Sequence, residues 1–511
     1  MTVDQFDTII IGSGISGMSA GIILAREGEK VLVLEQHDIP GGLTQTFRRS
    51  GLVFPTGVHR IGALRPGEPL WYYFNYLDII DRLEYIPMAE DGFEAYHFPG
   101  ETFRVPQGHD SYRKKLISLF PNESDAIDRY FKDMVNLVKG IALYNPGCTD
   151  AHDRSMEYTG SLEEYFTKIG IRRRLKNILS ANNPLFGLPS TQCPVLTHFI
   201  ITDAYLKSSF RINETATPFS EALAESFQTA GGQIKTRSRM VRFLISAQTV
   251  KGVKLESGEE IKTGRVIYSG HPARLPGFCP PKTFRPVYQK RLEGAKNTPG
   301  VFGIGLAWKK KNCPVVDNDA YIYDTWDVND HYHTTKDMKG GNPGVIFLSA
   351  LPGGKSTCST AEKKESLAVT GIVPLSAACN EQLTADYGQP GKTTYMRTKT
   401  TFANKIMDRI EKTFPGAKEN ARIVVTYSPA TFERYTLTPE GSAYGIKKTA
   451  QTFLQAMFNP ATRVRGLFLT GQSIGFCGIH GGISASVNLC KTFFPKSYLM
   501  DKIRKEGNKR L

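Results

Sequence analysis

A chain of 511 residues with 40% hydrophobic side chains is too long for one ordinary domain and has material for two packed cores. Its eight cysteines show neither Cys-x-x-Cys pairs nor metal spacing, which argues against a disulfide framework and a zinc site and points to a reducing, cytoplasmic compartment. The net charge of +15, from 64 Lys and Arg against 49 Asp and Glu, favours anionic partners; with no nucleic-acid module in view, an acidic membrane surface is the expected one.

The apolar stretch 8–25 is superficially like a signal-peptide core. Asp4 and Asp7 stand where a basic segment belongs, and the glycines fit a nucleotide loop instead. No apolar run of eighteen or more residues free of charge is present, so a soluble or peripheral protein is expected. Residues 6–11 predict a buried parallel strand, 12–17 a tight loop, 18–27 a helix and 30–35 a second strand, together a βαβ unit. Residues 68–212 are aromatic-rich, with helices predicted at 161–169 and 172–179. An amphipathic helix at 218–229 and short strands at 233–236, 242–245, 250–255 and 266–269 mark a return to the first domain. Strands at 301–308 and 344–350 and a helix around 405–414 continue the second. A last strand at 466–470 and a helix at 481–490 close the first. The expected architecture is α/β: a Rossmann-like FAD-binding domain in three pieces (1–67, 213–287, 461–511) with an inserted α+β substrate domain in two (68–212, 288–460).

Nucleotide binding is expected from a constellation of residues. Gly12 makes the turn after the strand, Gly14 lets backbone approach a pyrophosphate, Gly17 lets helix approach strand, and the helix N-terminus attracts phosphate. Glu35 ends the second strand, where its carboxylate accepts from ribose hydroxyls and repels a 2′-phosphate. Pro40-Gly41-Gly42 follows, similar to the Gly-Gly element of flavoproteins. Far along the chain come Gly471-Gln472-Ser473 and Gly478-Ile479-His480-Gly481-Gly482, the latter opening a helix of the kind whose dipole stabilises negative charge on reduced flavin.

With these ends, the segment from Thr56 through Gly57, His59 and Arg60 to Gly62 and the Pro439-Glu440-Gly441 to Tyr444-Gly445 stretch make the chain resemble the phytoene desaturase, carotenoid isomerase and retinol saturase family. The resemblance implies FAD, a long apolar tunnel, and hydride transfer at flavin N5 to or from carbon–carbon bonds of a lipophilic polyene or isoprenoid. Desaturation, saturation and isomerisation all fit, and the electron acceptor stays open. It also implies Ile15, Ser16, Gln36, Leu43, Thr44, His59, Val241 and His480 as further cofactor contacts. Three positions depart from the pattern: Gln472 for Asp, His480 for Gly, and Glu214-Thr215 for Gly-Gly. A flavin amine or amino-acid oxidase, and a flavin-binding protein without turnover, are the alternatives.

His59, His480 and Tyr444 are the catalytic candidates, the histidines because imidazole titrates near neutral pH. Cys477 is expected to be a buried, inert thiol. Asp327, Asp330, His331 and His333 are expected to form a polar loop and no metal site. The 351–356 run imitates a phosphate loop but has Ser349 in place of its first glycine. Two apolar runs, 70–74 and 195–201, are candidates for a tunnel mouth or for core.

Overall fold

The structure is a computed structural model that describes residues 6–148, 158, 160–331, 338, 341–351, 365–388 and 390–511. Asp4, His333 and all of the 351–356 run except Leu351 lie outside them.

The first strands are short and apolar on both faces, as strands covered by helices must be: Val31–Leu34 is buried throughout. They belong to a five-stranded sheet in the order Gln233–Lys235, Val31–Leu34, Thr8–Ile11, Val266–Tyr268, Leu467–Leu469, with every pairing parallel. The strands come from three remote stretches of chain. The helices Ile15–Arg26, Phe219–Thr229 and Gly478–Cys490 share one face. Gly21 permits the approach, since a Cβ there would stand 3.0 Å from the Phe227 ring. On the other side packs an antiparallel meander of Met240–Ser246, Thr249–Leu255 and Glu260–Lys262.

The second sheet has seven strands in the order Ala421–Tyr427, Val301–Lys309, Ser366–Pro374, Val345–Leu351, Asp319–Tyr323, Glu94–Phe98, Glu101–Val105. Its one parallel pairing, Asp319–Tyr323 with Glu94–Phe98, stitches two distant pieces of chain together and sets Tyr321 against Tyr96. One face carries Ser124–Lys139, Leu162–Ile169, Arg173–Ser180 and Val195–Lys207. The other carries Thr393–Thr413, of which the helix expected near 405–414 is only the second half.

Both apolar runs singled out in the sequence are interior. Leu70, Tyr72, Tyr73 and Phe74 sit in the same cluster as Ile22 and Phe219, and the half-buried Trp71 donates its indole N–H to the Gly507 carbonyl at 3.1 Å. Residues 195–200 are buried among the helices over the second sheet. Neither run forms an exposed rim. Among the described residues no helix is long and apolar enough to cross a membrane.

Candidate functional site

The glycines do what their positions demand. Gly12 has φ +95°, a conformation L side chains rarely adopt, and a Cβ there would stand 2.7 Å from Ser269 Oγ. A Cβ on Gly17 would stand 2.0 Å from the Gly12 carbonyl. Gly14 differs from both: a Cβ there meets no protein atom within 4 Å, and Gly14 heads the helix Ile15–Arg26 without any side-chain cap. Open space before uncapped N–H groups at a helix start is the geometry that takes a phosphate.

Glu35, 7% exposed, closes this cradle. Its carboxylate accepts from the Ser13 amide (2.9 Å) and the His37 amide (2.8 Å), while Ser13 Oγ also accepts from the Gly41 amide (2.8 Å). Ser13 thereby ties the acid to the Gly41-Gly42 turn, where a Cβ on Gly42 would stand 3.1 Å from Gly14 Cα. Thr44 is buried and bonds the Gly41 carbonyl (2.7 Å); Leu43 packs on Gly57, whose added Cβ would stand 3.0 Å from the Leu43 carbonyl. Gln36 faces outward, donating to the Tyr435 carbonyl. The Ser238 amide donates to the Glu35 carbonyl, and three residues on, the hairpin register skips Val241, leaving it out of the ladder near the acid's end of the sheet.

The C-terminal motif reaches the same place. A Cβ on Gly482 would stand 2.7 Å from Ile15 Cγ2 and 3.0 Å from Ser16 Oγ, and Ser486 Oγ donates to the Ser16 carbonyl at 2.6 Å. Two helix N-termini, 463 residues apart in sequence by Gly478 minus Ile15, thus abut. Gly471 (φ +118°) and Gly478 (φ +79°) need glycine's freedom in the loop between. Gln472 donates to the Ala443 carbonyl, and its own carbonyl accepts from Lys448 Nζ at 3.1 Å. Ile479 and His480 occupy the first turn of the second helix.

Around His59 the chain assembles a buried ionic knot that the sequence did not suggest. The Arg60 guanidinium is paired with Glu94 and, at 3.2 Å, with Asp319; Arg211 reaches the other Asp319 oxygen at 2.8 Å. All four side chains are at most 2% exposed, and Arg60 also lies 4.2 Å over the Tyr205 ring. Two cations meet two anions, so the knot is neutral overall, as burial requires. His59 lies against it and against the edge of Phe347 (5.6 Å between centroids). The Tyr444 hydroxyl, raised by burial, feels Cys477, Tyr205 and Arg60, so Tyr444 and His59 both border the knot.

The premise that either histidine titrates near neutrality fails. Burial lowers His59 to about 4, with Arg60 and Arg211 pushing the same way and Asp319 opposing. His480 is also lowered to about 4 by burial, with the Leu143 carbonyl and Asp203 opposing weakly. At pH 7 both are neutral imidazoles, and neither ring nitrogen of either has a hydrogen bond of ordinary geometry. Nor are they set together. His480 stacks on Tyr144 (4.7 Å) and meets Tyr73 edge-on (5.5 Å), away from His59's neighbours. Cys477 is pushed up by burial, in keeping with an inert thiol.

Three buried groups take roles that the sequence did not assign them. The Arg60 knot joins residues up to 259 apart. Lys448, lowered to about 8 by burial, braces the Gln472 loop. The Glu214 carboxyl accepts the Phe219 amide at 2.9 Å, leaving its second oxygen without a partner; burial raises it to about 7. Only Glu214 left a trace in the sequence, as the acid standing where a Gly-Gly pair is common. Among the described residues no group of His, Cys, Asp and Glu is arranged for a metal ion.

A parallel sheet assembled from three chain segments, with a glycine cradle between two abutting helix N-termini, defines a dinucleotide-binding α/β protein. The chain belongs to the flavin containing amine oxidoreductase family, whose sequence model matches residues 15–491. It is similar to the all-trans-retinol 13,14-reductase of Danio rerio, 24% identical over 99% of this chain and 89% of that protein. It is also similar to the chloroplastic prolycopene isomerase of Arabidopsis thaliana, 25% identical over 92% of this chain and 79% of that one. Among solved structures, an oxidoreductase from Methanosarcina mazei superposes with a TM-score of 0.64 at 14% identity, covering 95% of this chain and 99% of its own. A putrescine oxidase gives 0.63 at 14% identity (98% and 99%), and a fatty acid isomerase from P. acnes 0.61 at 12% (96% and 99%). These likenesses establish the fold.

Proposed function

We propose that this protein is an FAD-dependent oxidoreductase that desaturates, saturates or isomerises carbon–carbon bonds of a long lipophilic polyene or isoprenoid. The observation that carries the reading is the interior face of His59, Tyr444 and Phe347. The charges of Arg60, Arg211, Glu94 and Asp319 cancel within the knot beside it, while Lys448, buried near Cys477, donates to the Ile446 and Gln472 carbonyls. An amine substrate would bring a cation and needs a free anion or an aromatic cage. Here the knot's anions are already held by Arg60 and Arg211, which weighs against an amine held by a carboxylate.

The open space at Gly14 fits a diphosphate. The amides of Gly14, Ile15 and Ser16 hold it, Glu35 accepts from the ribose hydroxyls, and Gly42, Gly471, Gln472 and the Gly478–Cys490 helix head receive the flavin end. FAD bound there supplies a hydride acceptor or donor at N5. The protein's own share is to hold an apolar chain in place and keep water out, because no side chain is basic enough to deprotonate an unactivated carbon. Relatives named for retinol and prolycopene chemistry support the substrate class. A water-insoluble substrate also calls for reversible contact with anionic membranes. Val287 (81% exposed), Leu454 (61%) and the nearby Lys290 and Arg291 are the surface for it, and sedimentation with anionic against neutral liposomes tests that part.

The decisive experiment is anaerobic. Purified protein is expected to be yellow and to release FAD, not FMN, in acid. A polyene lipid extract should change its flavin redox state or yield an isomerised polyene, and amines should do neither. Bleaching by amines alone would overturn the reading in favour of an amine oxidase.

A further inference from the structure

Lys448 is a buried cation without a counter-charge. The residue is 9% exposed, and its ammonium donates to the Gln472 carbonyl at 3.1 Å and the Ile446 carbonyl at 3.5 Å. Among the described residues no carboxylate pairs with it, and of its three ammonium hydrogens one is left without an acceptor. The ionisable groups that face it supply no anion. Cys477, at the head of the Gly478–Cys490 helix, is a thiol raised by burial, and His271, beyond the Val266–Tyr268 strand, is an imidazole lowered to about 4. Both are neutral at pH 7. Arg274, which acts on His271 as Lys448 does, is held by Glu433 at 2.6 Å. Gln472 is neutral where the related pattern has Asp. Burial lowers Lys448 only to about 8, so it keeps its charge at pH 7. A cation taken out of water is costly unless an anion meets it.

Its place says which anion. Lys448 braces the loop of Gly471 and Gln472 and neighbours Cys477, the N-cap residue of a helix whose first turn has no side-chain cap. Cys477 in turn neighbours Tyr444, which borders the knot beside His59. This is the flavin end of the cradle. The diphosphate end at Gly14 is framed instead by Ile15 and Ser16, which pack on Gly482, one turn deeper in the same helix. We propose that Lys448 is the fixed positive charge that stabilises the bound flavin ring when it takes up negative charge on reduction. The proposal rests on the FAD reading and assigns a residue to the redox balance of that site. Two electrons taken up with one proton leave the ring one unit more negative. Lys448 and the uncapped N–H groups of the helix act on that charge with the same sign, and in a low-dielectric interior a charge acts without direct contact. The oxidised ring is neutral, so the cation favours the reduced state over the oxidised one.

The test is potentiometric, on FAD-loaded protein with dithionite as electron donor and a redox dye as reference. In Lys448→Met the preference for reduced over oxidised FAD is expected to fall about tenfold, which for a two-electron couple lowers the midpoint potential by about 30 mV. Oxidised FAD titrated into apoprotein should bind the variant and the parent alike, and Lys448→Arg, which keeps the charge, should keep the potential. The pH dependence adds a signature that a structural role would not move, and it is read on the unaltered protein even if Lys448→Met does not fold. At pH 7 reduction takes up one proton per two electrons, on the flavin. Above about 8, where Lys448 of the oxidised protein loses its proton, reduction draws a second proton onto Nζ. The slope of potential against pH therefore doubles there in the parent and stays single in Lys448→Met. An unchanged potential in yellow Lys448→Met, or a slope that stays single in the parent, overturns the proposal and leaves the FAD reading standing. Equal weakening of oxidised and reduced FAD, matched by weaker binding of ADP, also overturns it and assigns the cation to the diphosphate. Protein that takes up no FAD overturns the cofactor reading and the proposal together.

Discussion

The cradle around Gly14 and the interior around Arg60 are built by opposite means. In the cradle, function is carried by what side chains do not occupy: Gly12 and Gly17 press backbone on backbone, and Gly14 faces open space. In the interior it is carried by side chains gathered from remote segments, with Arg60 meeting Glu94, Asp319 and Tyr205. A site made of backbone geometry leaves its mark in a dozen consecutive residues. A site made of tertiary contact leaves none.

The first way to break the comparison is to add a methyl group to each class of glycine. Gly17→Ala places it 2.0 Å from a backbone carbonyl that cannot yield, and loss of folded protein is expected. Gly14→Ala meets no protein atom, so the apoprotein should melt where the parent does and lose FAD affinity by about tenfold or more, one obstructed phosphate contact costing about 1–3 kcal/mol. Calorimetry of apoprotein and titration with FAD separate the two; equal melting of Gly17→Ala and parent would show that the helix start is looser than described.

On the interior side, Arg60→Met leaves Glu94 and one oxygen of Asp319 buried without their partner. Removing one member of a buried ionic group costs about 3–5 kcal/mol. Adding Glu94→Gln should restore part of that, since the second change removes the orphaned charge. Denaturant midpoints of the single and double variants check the coupling, and simple additivity would mean that the knot is not one unit.

How much was legible follows the same division. The five parallel strands fell within a residue or two of their expected places because four are short apolar runs and the fifth, Gln233–Lys235, alternates around Ile234 after a Gly-Gly turn. The Thr393–Thr413 helix was read only from 405 onward. Thr393, Thr394, Thr398, Thr400 and Thr401 lower the local helix propensity, and packing of Tyr395, Phe402 and Ile406 against the second sheet overrides it. At the candidate site, His59 and Tyr444 are singled out by motif position, whereas Arg60 and Glu94 or Asp319 lie 34 and 259 residues apart, and no local pattern announces such a pairing. The histidine titration was misjudged for the same reason: burial, which sequence does not display, sets it.

That burial predicts acid lability. His59, His271 and His480 titrate near 4 and His198 near 3, each lowered chiefly by burial from 6.5. The unfolded chain therefore binds more protons in this window: their contribution to stability is whole above pH 6.5 and is lost as pH falls towards 4. Each group accounts for up to about 3 kcal/mol at the acid limit. Urea midpoints measured from pH 7 to 4.5 should fall steeply, and less steeply in His480→Leu. A slope unchanged by that substitution would show that His480 stays solvated.

At Glu214 the sign is reversed. Its carboxyl is raised to about 7 by burial, opposed by the Phe219 amide that it caps. A group whose folded value lies above its unfolded 4.5 gives its full stabilisation below that unfolded value and loses it as pH rises through 7. Glu214→Gln keeps an oxygen for the Phe219 amide and removes the ionisation, so the variant should match the parent at pH 4 and exceed it by up to about 3 kcal/mol at pH 8.5. The opposing signs at His480 and Glu214 make the pair informative: the acid limb of the stability curve belongs to the imidazoles and the alkaline limb in part to this acid. If Glu214→Gln were instead less stable at pH 8.5, the unpartnered oxygen would have to be an ionised one held by a ligand or water. Glu214 would then belong with the cradle's polar contacts, and the boundary between the two kinds of site would run through it.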